Sequence, residues 1–177
     1  MINWGIVGAG RIAHRFCEAL AQDSRANLEA VSCRTLEKAK AFQEKHLCNK
    51  AYDSFQAVLD DPEIEAVYIA LPHLYHFEWV KKAILANKKI LVEKPATMNT
   101  AEMEEIKDLV KKHHILFMEA MKTRFVPGYQ EAKSLVSEGI IGELECLETS
   151  FCGKVDYNQN SYLFDIKQGG CLLDLGI

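Results

Sequence analysis

A glycine-rich turn, Gly-Ala-Gly-Arg-Ile-Ala at residues 8–13, lies between the apolar run Ile2–Val7 and an amphipathic stretch. The first glycine of such a pattern permits a tight turn, the second lets the backbone approach a phosphate, and the small sixth residue lets helix and strand pack closely. The unpaired amides that begin the helix attract an anion. We therefore expect a dinucleotide diphosphate here, with a plain turn or another nucleotide as the alternative. The residues expected to hold it are Gly8, Ala9, Gly10, Arg11 and Ile12.

A second group with chemical meaning, Ser32-Cys33-Arg34, follows the apolar run Leu28–Ser32. A site for NAD usually carries Asp or Glu at this place, about 20 residues beyond the turn, where the carboxylate binds the ribose 2′-hydroxyl. Here Arg34 can instead bind a 2′-phosphate through two parallel hydrogen bonds, with Cys33 beside it and Lys38 one helical turn further on. We therefore expect NADP, with NAD as the less favoured cofactor. The alternative is that Arg34 and Lys38 are ordinary solvated cations on the surface with no ligand.

A third group, Glu93-Lys94-Pro95, closes the apolar run Lys89–Val92. A lysine in this position can donate a proton or a hydrogen bond to a substrate oxygen. The residues alone do not decide between that role and a structural ion pair.

Short apolar runs alternate with amphipathic stretches over the first two thirds of the chain. Strands are predicted at Ile2–Val7, Leu28–Ser32, Ala51-Tyr52, Ala66–Ala70, Lys89–Val92 and Ile115–Met118. Helices are predicted at Arg11–Gln22, Thr35–His46, Phe55–Leu59, His73–Asn87 and Thr100–His113, with Thr35, Ser54 and Thr100 as N-caps. The later strand runs are continuously apolar, which is typical of parallel strands buried on both faces.

This alternation predicts an α/β fold with a Rossmann-type, doubly wound parallel sheet in residues 1–120. Right-handed crossovers place all carboxyl ends of the strands at one edge, where open α/β sheets bind ligands. The glycine turn, Arg34, Leu71, His73 and Lys94 all follow strands, so we expect them to line one crevice.

The character of the chain changes after Glu119. Pro127-Gly128 interrupts the pattern, Tyr129–Ser137 predicts a helix, and Leu144–Phe151 predicts a longer strand. We expect residues 121–177 to be a hinge and the first elements of an α+β second domain.

Composition limits the remaining function classes. The 177 residues are 49% hydrophobic and 26% charged, with a net charge of −4 and no long charge run, so neither a nucleic-acid partner nor a membrane is expected. The N-terminus enters a strand directly and predicts no signal peptide. None of the six cysteines has zinc-ligand spacing, which favours reduced cytoplasmic thiols and no bound metal.

Several motifs together resemble the Gfo/Idh/MocA oxidoreductases, a family that includes glucose–fructose oxidoreductase and inositol dehydrogenase. The matching segments are Gly5–Ala13, Val67–His73 with His76, Glu93-Lys94-Pro95, Glu119–Met121 with Thr123–Phe125, and Gly169–Ile177. The sequences Thr-Arg-Phe at 123–125 and Leu-Leu-Asp-Leu-Gly-Ile at 172–177 are most similar to those of the subgroup that contains dimeric dihydrodiol dehydrogenase and NADP-dependent D-xylose dehydrogenase.

The resemblance implies that Lys94 is a catalytic lysine, that the Lys94–Pro95 bond is cis, and that Asp174 positions the substrate. It implies cofactor or substrate contact for His76, whereas His73 stands where the family commonly has Asn, so a capping or surface role is the alternative there. Arg124 matches an arginine near the hinge, with an interdomain salt bridge as its alternative. These considerations add Leu71, His73, His76, Glu93, Lys94 and Arg124 to the expected cofactor-binding residues.

The resemblance also implies hydride transfer between nicotinamide and a sugar, polyol or diol, with a non-enzymatic NAD(P) sensor or regulatory protein as the alternative. Relatives run to roughly twice this length, form homo-oligomers, and place a proton-relay His or Tyr four residues after the aspartate. We therefore expect a C-terminally truncated chain that binds cofactor but turns over poorly.

Overall fold

The computed structural model describes residues 1–159 and 161–176, and six parallel strands form one sheet within them. The strands are β1 Ile2–Val7, β2 Ala26–Ser32, β3 Lys50–Tyr52, β4 Ala66–Ile69, β5 Lys89–Val92 and β6 Phe117–Glu119. Their order, β3-β2-β1-β4-β5-β6, reverses direction between β1 and β4. This is the predicted doubly wound arrangement, and it leaves a crevice at the carboxyl ends of those two strands.

Seven α-helices are present in the described ranges. They are α1 Arg11–Leu20, α2 Leu36–His46, α3 Phe55–Asp60, α4 His76–Leu85, α5 Thr100–His113, α6 Pro127–Ser137 and α7 Cys171–Leu175. Single 3₁₀ turns cover His73–Tyr75, Lys122–Phe125 and Tyr162–Phe164. Ile177, the last residue of the segment Gly169–Ile177 that carries part of the family resemblance, lies outside the described residues.

The central strands are buried on both faces, as their continuous apolar runs predict. Val7 and Ile6 are adjacent on β1, and both have no exposed surface. Val7 packs in the cluster formed with α3, α4 and α5, whereas Ile6 packs in the cluster formed with α1 and α2. Because neighbouring strand residues point to opposite faces, one strand contributes to two separate cores.

Of the three predicted N-caps, one forms a capping hydrogen bond, one occupies the N-cap position without such a bond, and one is not the N-cap. Thr35 accepts a hydrogen bond from the Lys38 amide at 3.4 Å, so its capping role is confirmed. Ser54 occupies the N-cap position but forms no capping bond. Thr100 was the wrong choice for α5, because the side chain of Asn99 accepts from the Glu102 amide at 3.0 Å.

Other boundaries also move. The predicted helix His73–Asn87 starts as a 3₁₀ turn behind Pro72, becomes α-helical only at His76, and ends at Leu85. The last strand lies at Phe117–Glu119 and not at Ile115–Met118.

The predicted strand Leu144–Phe151 is wrong, since the backbone there has no strand pairing and its apolar side chains are exposed. Alternating apolar residues form a strand only where a neighbouring strand supplies hydrogen-bond partners, and none follows Glu119 in the described part of the chain. The assignment of residues 121–177 to a second domain stays a prediction. Within the described residues, no helix has the length and apolar character needed to cross a bilayer.

The α5 cap yields a paired test. We expect Asn99→Ala to lower the free energy of unfolding by about 1 kcal/mol, because the Glu102 amide loses its acceptor. Thr100→Ala should change it by less than about 0.5 kcal/mol, since the exposed Thr100 side chain makes no hydrogen bond among the described residues. Urea denaturation followed by circular dichroism measures both, and equal losses for the two variants would contradict the assignment.

Candidate functional site

The glycine turn links β1 to α1 at the centre of the carboxyl edge. Gly8 has φ +101°, and a Cβ there would lie 2.6 Å from the backbone oxygen of Ala70, so only glycine fits. Gly10 is the N-cap of α1, which has no side-chain cap and no acidic residue in its first turn. A Cβ on Gly10 would meet nothing nearer than 3.9 Å. The start of α1 is therefore open and electropositive, and these residues fit a diphosphate.

The end of β2 presents cations to the same edge. The Cys33 amide donates to the Tyr52 carbonyl, which fixes the backbone directly before Arg34. Arg34 and Lys38 are both exposed, and neither forms an ion pair among the described residues. Both cations are thus free to meet an anionic ligand.

The two predicted catalytic residues, 80 positions apart in the sequence, are in direct contact. The Lys94 ammonium donates to Oδ1 of Asp174 at 2.8 Å and to the backbone oxygen of the same residue. The side chains keep 29% and 27% of their surface exposed, so the pair is sheltered but accessible. The Lys94–Pro95 peptide bond is cis, as the resemblance implies.

The Glu93 side chain is fixed by a buried tyrosine that was not among the predicted site residues. The Tyr68 hydroxyl on β4 donates to Oε1 of Glu93 at the end of β5. Tyr68 is only 2% exposed and stacks on Phe16 of α1 at 4.0 Å between ring centroids. Burial and the Glu93 hydrogen bond raise the pKa of the Tyr68 phenol, so it remains a proton donor. A lone hydroxyl within an otherwise apolar strand was the available signal.

His76 is completely buried, and both of its ring nitrogens face backbone carbonyls. Nδ1 lies 2.7 Å from the Pro95 oxygen and Nε2 lies 2.7 Å from the Leu71 oxygen. The ring therefore bridges the loop after β4 and the turn that carries Lys94. Burial lowers the pKa of His76.

His73 is 4% exposed, so the surface alternative is wrong for this residue. Its Nδ1 lies 3.0 Å from the Gln168 backbone oxygen, and its ring meets Tyr162 edge to face, with centroids 5.0 Å apart. Gln168 and Tyr162 were not predicted as site residues, because only the folded chain brings them to the crevice.

Arg124 lies apart from this group. It is exposed in the turn Lys122–Phe125 and forms no ion pair among the described residues. A cavity of about 630 Å³ beside Lys94 is lined by Lys122, Thr123 and Phe125 but not by Arg124. Among the described residues, no cluster of three or more His, Cys, Asp or Glu side chains could hold a metal ion.

Comparison with known proteins identifies the family of this chain. Residues 2–121 match the Gfo/Idh/MocA family, described as an oxidoreductase family with an NAD-binding Rossmann fold. The chain belongs to this family.

Similar curated proteins include trans-1,2-dihydrobenzene-1,2-diol dehydrogenases. The enzyme from Xenopus tropicalis is 35% identical over 98% of this chain and 53% of its own length. The enzyme from Bos taurus is 36% identical over 99% of this chain and 53% of its own length. The chain thus spans about half the length of the curated relatives that it matches.

Two solved structures of the same family have a similar fold. A 3-ketoreductase from Actinomadura kijaniata, in complex with TDP-benzene and NADP, has a TM-score of 0.75 and 29% identity over 80% of this chain and 45% of its own. A scyllo-inositol dehydrogenase from Lactobacillus casei, with bound NAD(H) and scyllo-inositol, has a TM-score of 0.76 and 26% identity over 81% of this chain and 43% of its own.

Burial of His76 predicts a pH-dependent stability. Its pKa in the folded protein lies below the ordinary histidine value of 6.5. As the pH falls through that value the unfolded chain takes up a proton that the folded chain does not, so stability falls. We expect His76→Asn to reduce the loss of stability between pH 7.5 and 5.5, because the variant has no imidazole that takes up a proton on unfolding.

Urea denaturation at the two pH values measures this difference. Because the slope with pH is compared, a general destabilisation by the substitution does not obscure the result. The exposed His114, changed to Asn, is the control and should leave the slope unaltered. An unchanged slope in His76→Asn would show that His76 contributes nothing to it.

Proposed function

We propose that this protein binds NADP in preference to NAD at the carboxyl edge of its sheet. We further propose that it transfers hydride between the nicotinamide and a hydroxyl-bearing or carbonyl carbon of a sugar, polyol or diol. The observation that carries this proposal is the contact of the Lys94 ammonium with Asp174 at the edge where the glycine turn begins α1. A cation and a carboxylate at the end of a cofactor crevice suit a substrate oxygen that changes between hydroxyl and carbonyl.

The cofactor preference rests on charge. The similar 3-ketoreductase was solved with NADP and the similar inositol dehydrogenase with NAD(H), so the family accommodates both. Arg34 follows the second strand where a ribose-binding carboxylate would favour NAD, and it is exposed without an ion pair among the described residues. A guanidinium favours a 2′-phosphate, which supports NADP.

The nicotinamide, when bound, supplies the hydride chemistry. Lys94 would donate a hydrogen bond to the reacting oxygen and pass it a proton when a carbonyl is reduced. Asp174 would accept a hydrogen bond from a substrate hydroxyl and, in the free protein, keep the ammonium directed into the crevice. His76, which contacts the Pro95 carbonyl, and Tyr68, which donates to the Glu93 side chain, would fix the residues on either side of Lys94.

The substrate class follows from the relatives' names, which include a dihydrobenzenediol dehydrogenase, a 3-ketoreductase and an inositol dehydrogenase. The first and the last act on compounds with neighbouring hydroxyls. Such a substrate can present one oxygen to Lys94 and another to Asp174. Assembly into a homo-oligomer and a cytoplasmic location are also part of this proposal.

Arg34 provides the test of cofactor choice. We expect NADPH to bind about 10-fold or more tightly than NADH, because hydrogen bonds to a charged group contribute about 1.5–3 kcal/mol. Arg34→Ala should remove this difference and leave NADH affinity nearly unchanged. Titration of nicotinamide fluorescence measures both dissociation constants.

Lys40, an exposed cation on α2, gives the matched control, and Lys40→Ala should retain the preference. Equal weakening of NADPH and NADH by Arg34→Ala would assign Arg34 a role other than recognition of the 2′-phosphate.

Lys94 provides the test of catalysis. In the protein that carries this chain, we expect Lys94→Ala to lower kcat by about 10²–10⁴-fold, the usual effect of losing a general acid. The dissociation constant for NADPH should change little. Steady-state assays with diols, inositols and keto sugars, together with cofactor titration, separate these effects.

Lys89, which pairs with Glu65 at the other end of β5, is the control residue, and Lys89→Ala should retain activity. Intact NADPH binding without turnover of any such substrate by the unaltered protein would instead favour a dinucleotide sensor.

A further inference from the structure

Two histidines on neighbouring helices face each other on the α1–α2 side of the sheet. Nδ1 of His14, in the first turn of α1, lies 2.6 Å from Nε2 of His46, the last residue of α2. Phe42, one turn before His46, is 3% exposed, and its ring centroid lies 4.5 Å from that of each imidazole. The three rings therefore join the two helices directly.

The short distance between the facing nitrogens limits how many hydrogens lie between them. A neutral imidazole has one N–H donor and one acceptor nitrogen, whereas an imidazolium has two donors and no acceptor. At 2.6 Å, one facing nitrogen carries a hydrogen and the other accepts it. One additional proton can be placed on an outward-facing nitrogen, but a second would put hydrogens on both facing nitrogens and force the rings apart. The folded pair thus holds one proton fewer than two separate imidazoles hold in acid.

The charged groups on α1 and α2 around the pair do not compensate a second proton. Glu18 lies one helical turn beyond His14 and is exposed, and Lys45 directly precedes His46. Among the described residues, no carboxylate is hydrogen-bonded or ion-paired to either ring. Burial is the main cause that lowers the pKa of both imidazoles, and for His46 the neighbouring imidazole is the second cause. Lys45 lowers the pKa of both rings further, and Glu18, the weakest of these influences, raises it.

The helices that the pair joins begin at the two candidate anion sites. α1 begins directly after Gly10 of the glycine turn, and α2 begins at Leu36, two residues after Arg34. We propose that His14 and His46 form a proton-operated latch between α1 and α2. The latch is closed while the facing nitrogens share one hydrogen, and a second hydrogen between them opens it. Both rings are only partly buried, so protons from solvent reach them.

Opening of the latch loosens the contact that holds the Arg34 loop beside the glycine turn. A ligand with its diphosphate at the start of α1 and its 2′-phosphate at Arg34 binds the closed form better, so acid weakens its binding. This control of ligand affinity rests on the proposed function, whereas the latch itself does not.

Nitrogen-15 NMR of the imidazoles tests the latch directly. At pH 7.5 we expect one of the two facing nitrogens to carry a hydrogen and the other to accept it. On titration to pH 5.5 we expect one ring of the pair to remain neutral, whereas the exposed His114 becomes protonated. Uptake of a proton by both rings near pH 6.5 would overturn the proposal.

The pH dependence of unfolding gives a second test, which a general destabilisation does not imitate. Each proton excluded from the folded state raises the unfolding equilibrium constant by up to about 10-fold per pH unit below the ordinary histidine pKa. We therefore expect a rise between pH 7.5 and 5.5 that His14→Gln and His46→Gln each reduce by the same factor, and the double substitution should reduce it no further. Urea denaturation measures this rise, and His114→Asn is the control that retains it. Reductions that multiply in the double variant would show that the two rings act separately, which contradicts a latch.

Calorimetric titration with NADP⁺ tests the control of ligand affinity. Between pH 7.5 and 5.5 we expect the affinity to fall about 5-fold more in the unaltered chain than in His46→Gln, a coupling of ordinary size between two sites. Protonation of the 2′-phosphate is common to both proteins and cancels in this ratio. Equal losses in the two proteins would overturn the control of the site. If the unaltered chain bound no NADP⁺ at pH 7.5, the proposed function would fail, and the NMR and unfolding measurements would still decide whether the latch exists.

Discussion

The parallel direction of all six strands is the constraint on which the candidate site depends. Because β1 pairs in parallel with both β2 and β4, the glycine turn lies between the loop that carries Arg34 and the loop that carries His73. The pairing of β4 with β5 then brings Glu93 and Lys94 to the same edge. Hydrogen bonds between backbones, which do not depend on side-chain identity, thus establish the spacing along the whole crevice.

Side chains then refine what the sheet has placed. Tyr68 and His76 both lie beneath the crevice, and each joins one strand end to the next through a single polar contact or pair of contacts. Burying such polar groups is unfavourable unless they are hydrogen-bonded, so their contacts hold the loops in defined positions. The Lys94–Asp174 pair, in contrast, is partly exposed, so both side chains are accessible from the crevice.

Local signals were sufficient to predict the parallel sheet and to put the glycine turn and Arg34 after its strands, because hydrophobic periodicity and glycine conformation depend on a few neighbouring residues. The contact of Lys94 with Asp174 was anticipated only through family resemblance, since nothing local connects positions so distant in sequence. Tyr162 escaped notice for the same reason. Leu144–Phe151 shows the opposite failure, in which a local pattern predicted a strand but no partner strand is described beside it.

The bridging ring of His76 has a mechanical consequence. Its two ring nitrogens each lie 2.7 Å from a carbonyl oxygen, one of Leu71 and one of Pro95, and the Leu71 side chain packs over Gly8. The loop that packs over Gly8 and the turn that carries Lys94 therefore meet at one buried ring, so their relative position depends on a single side chain.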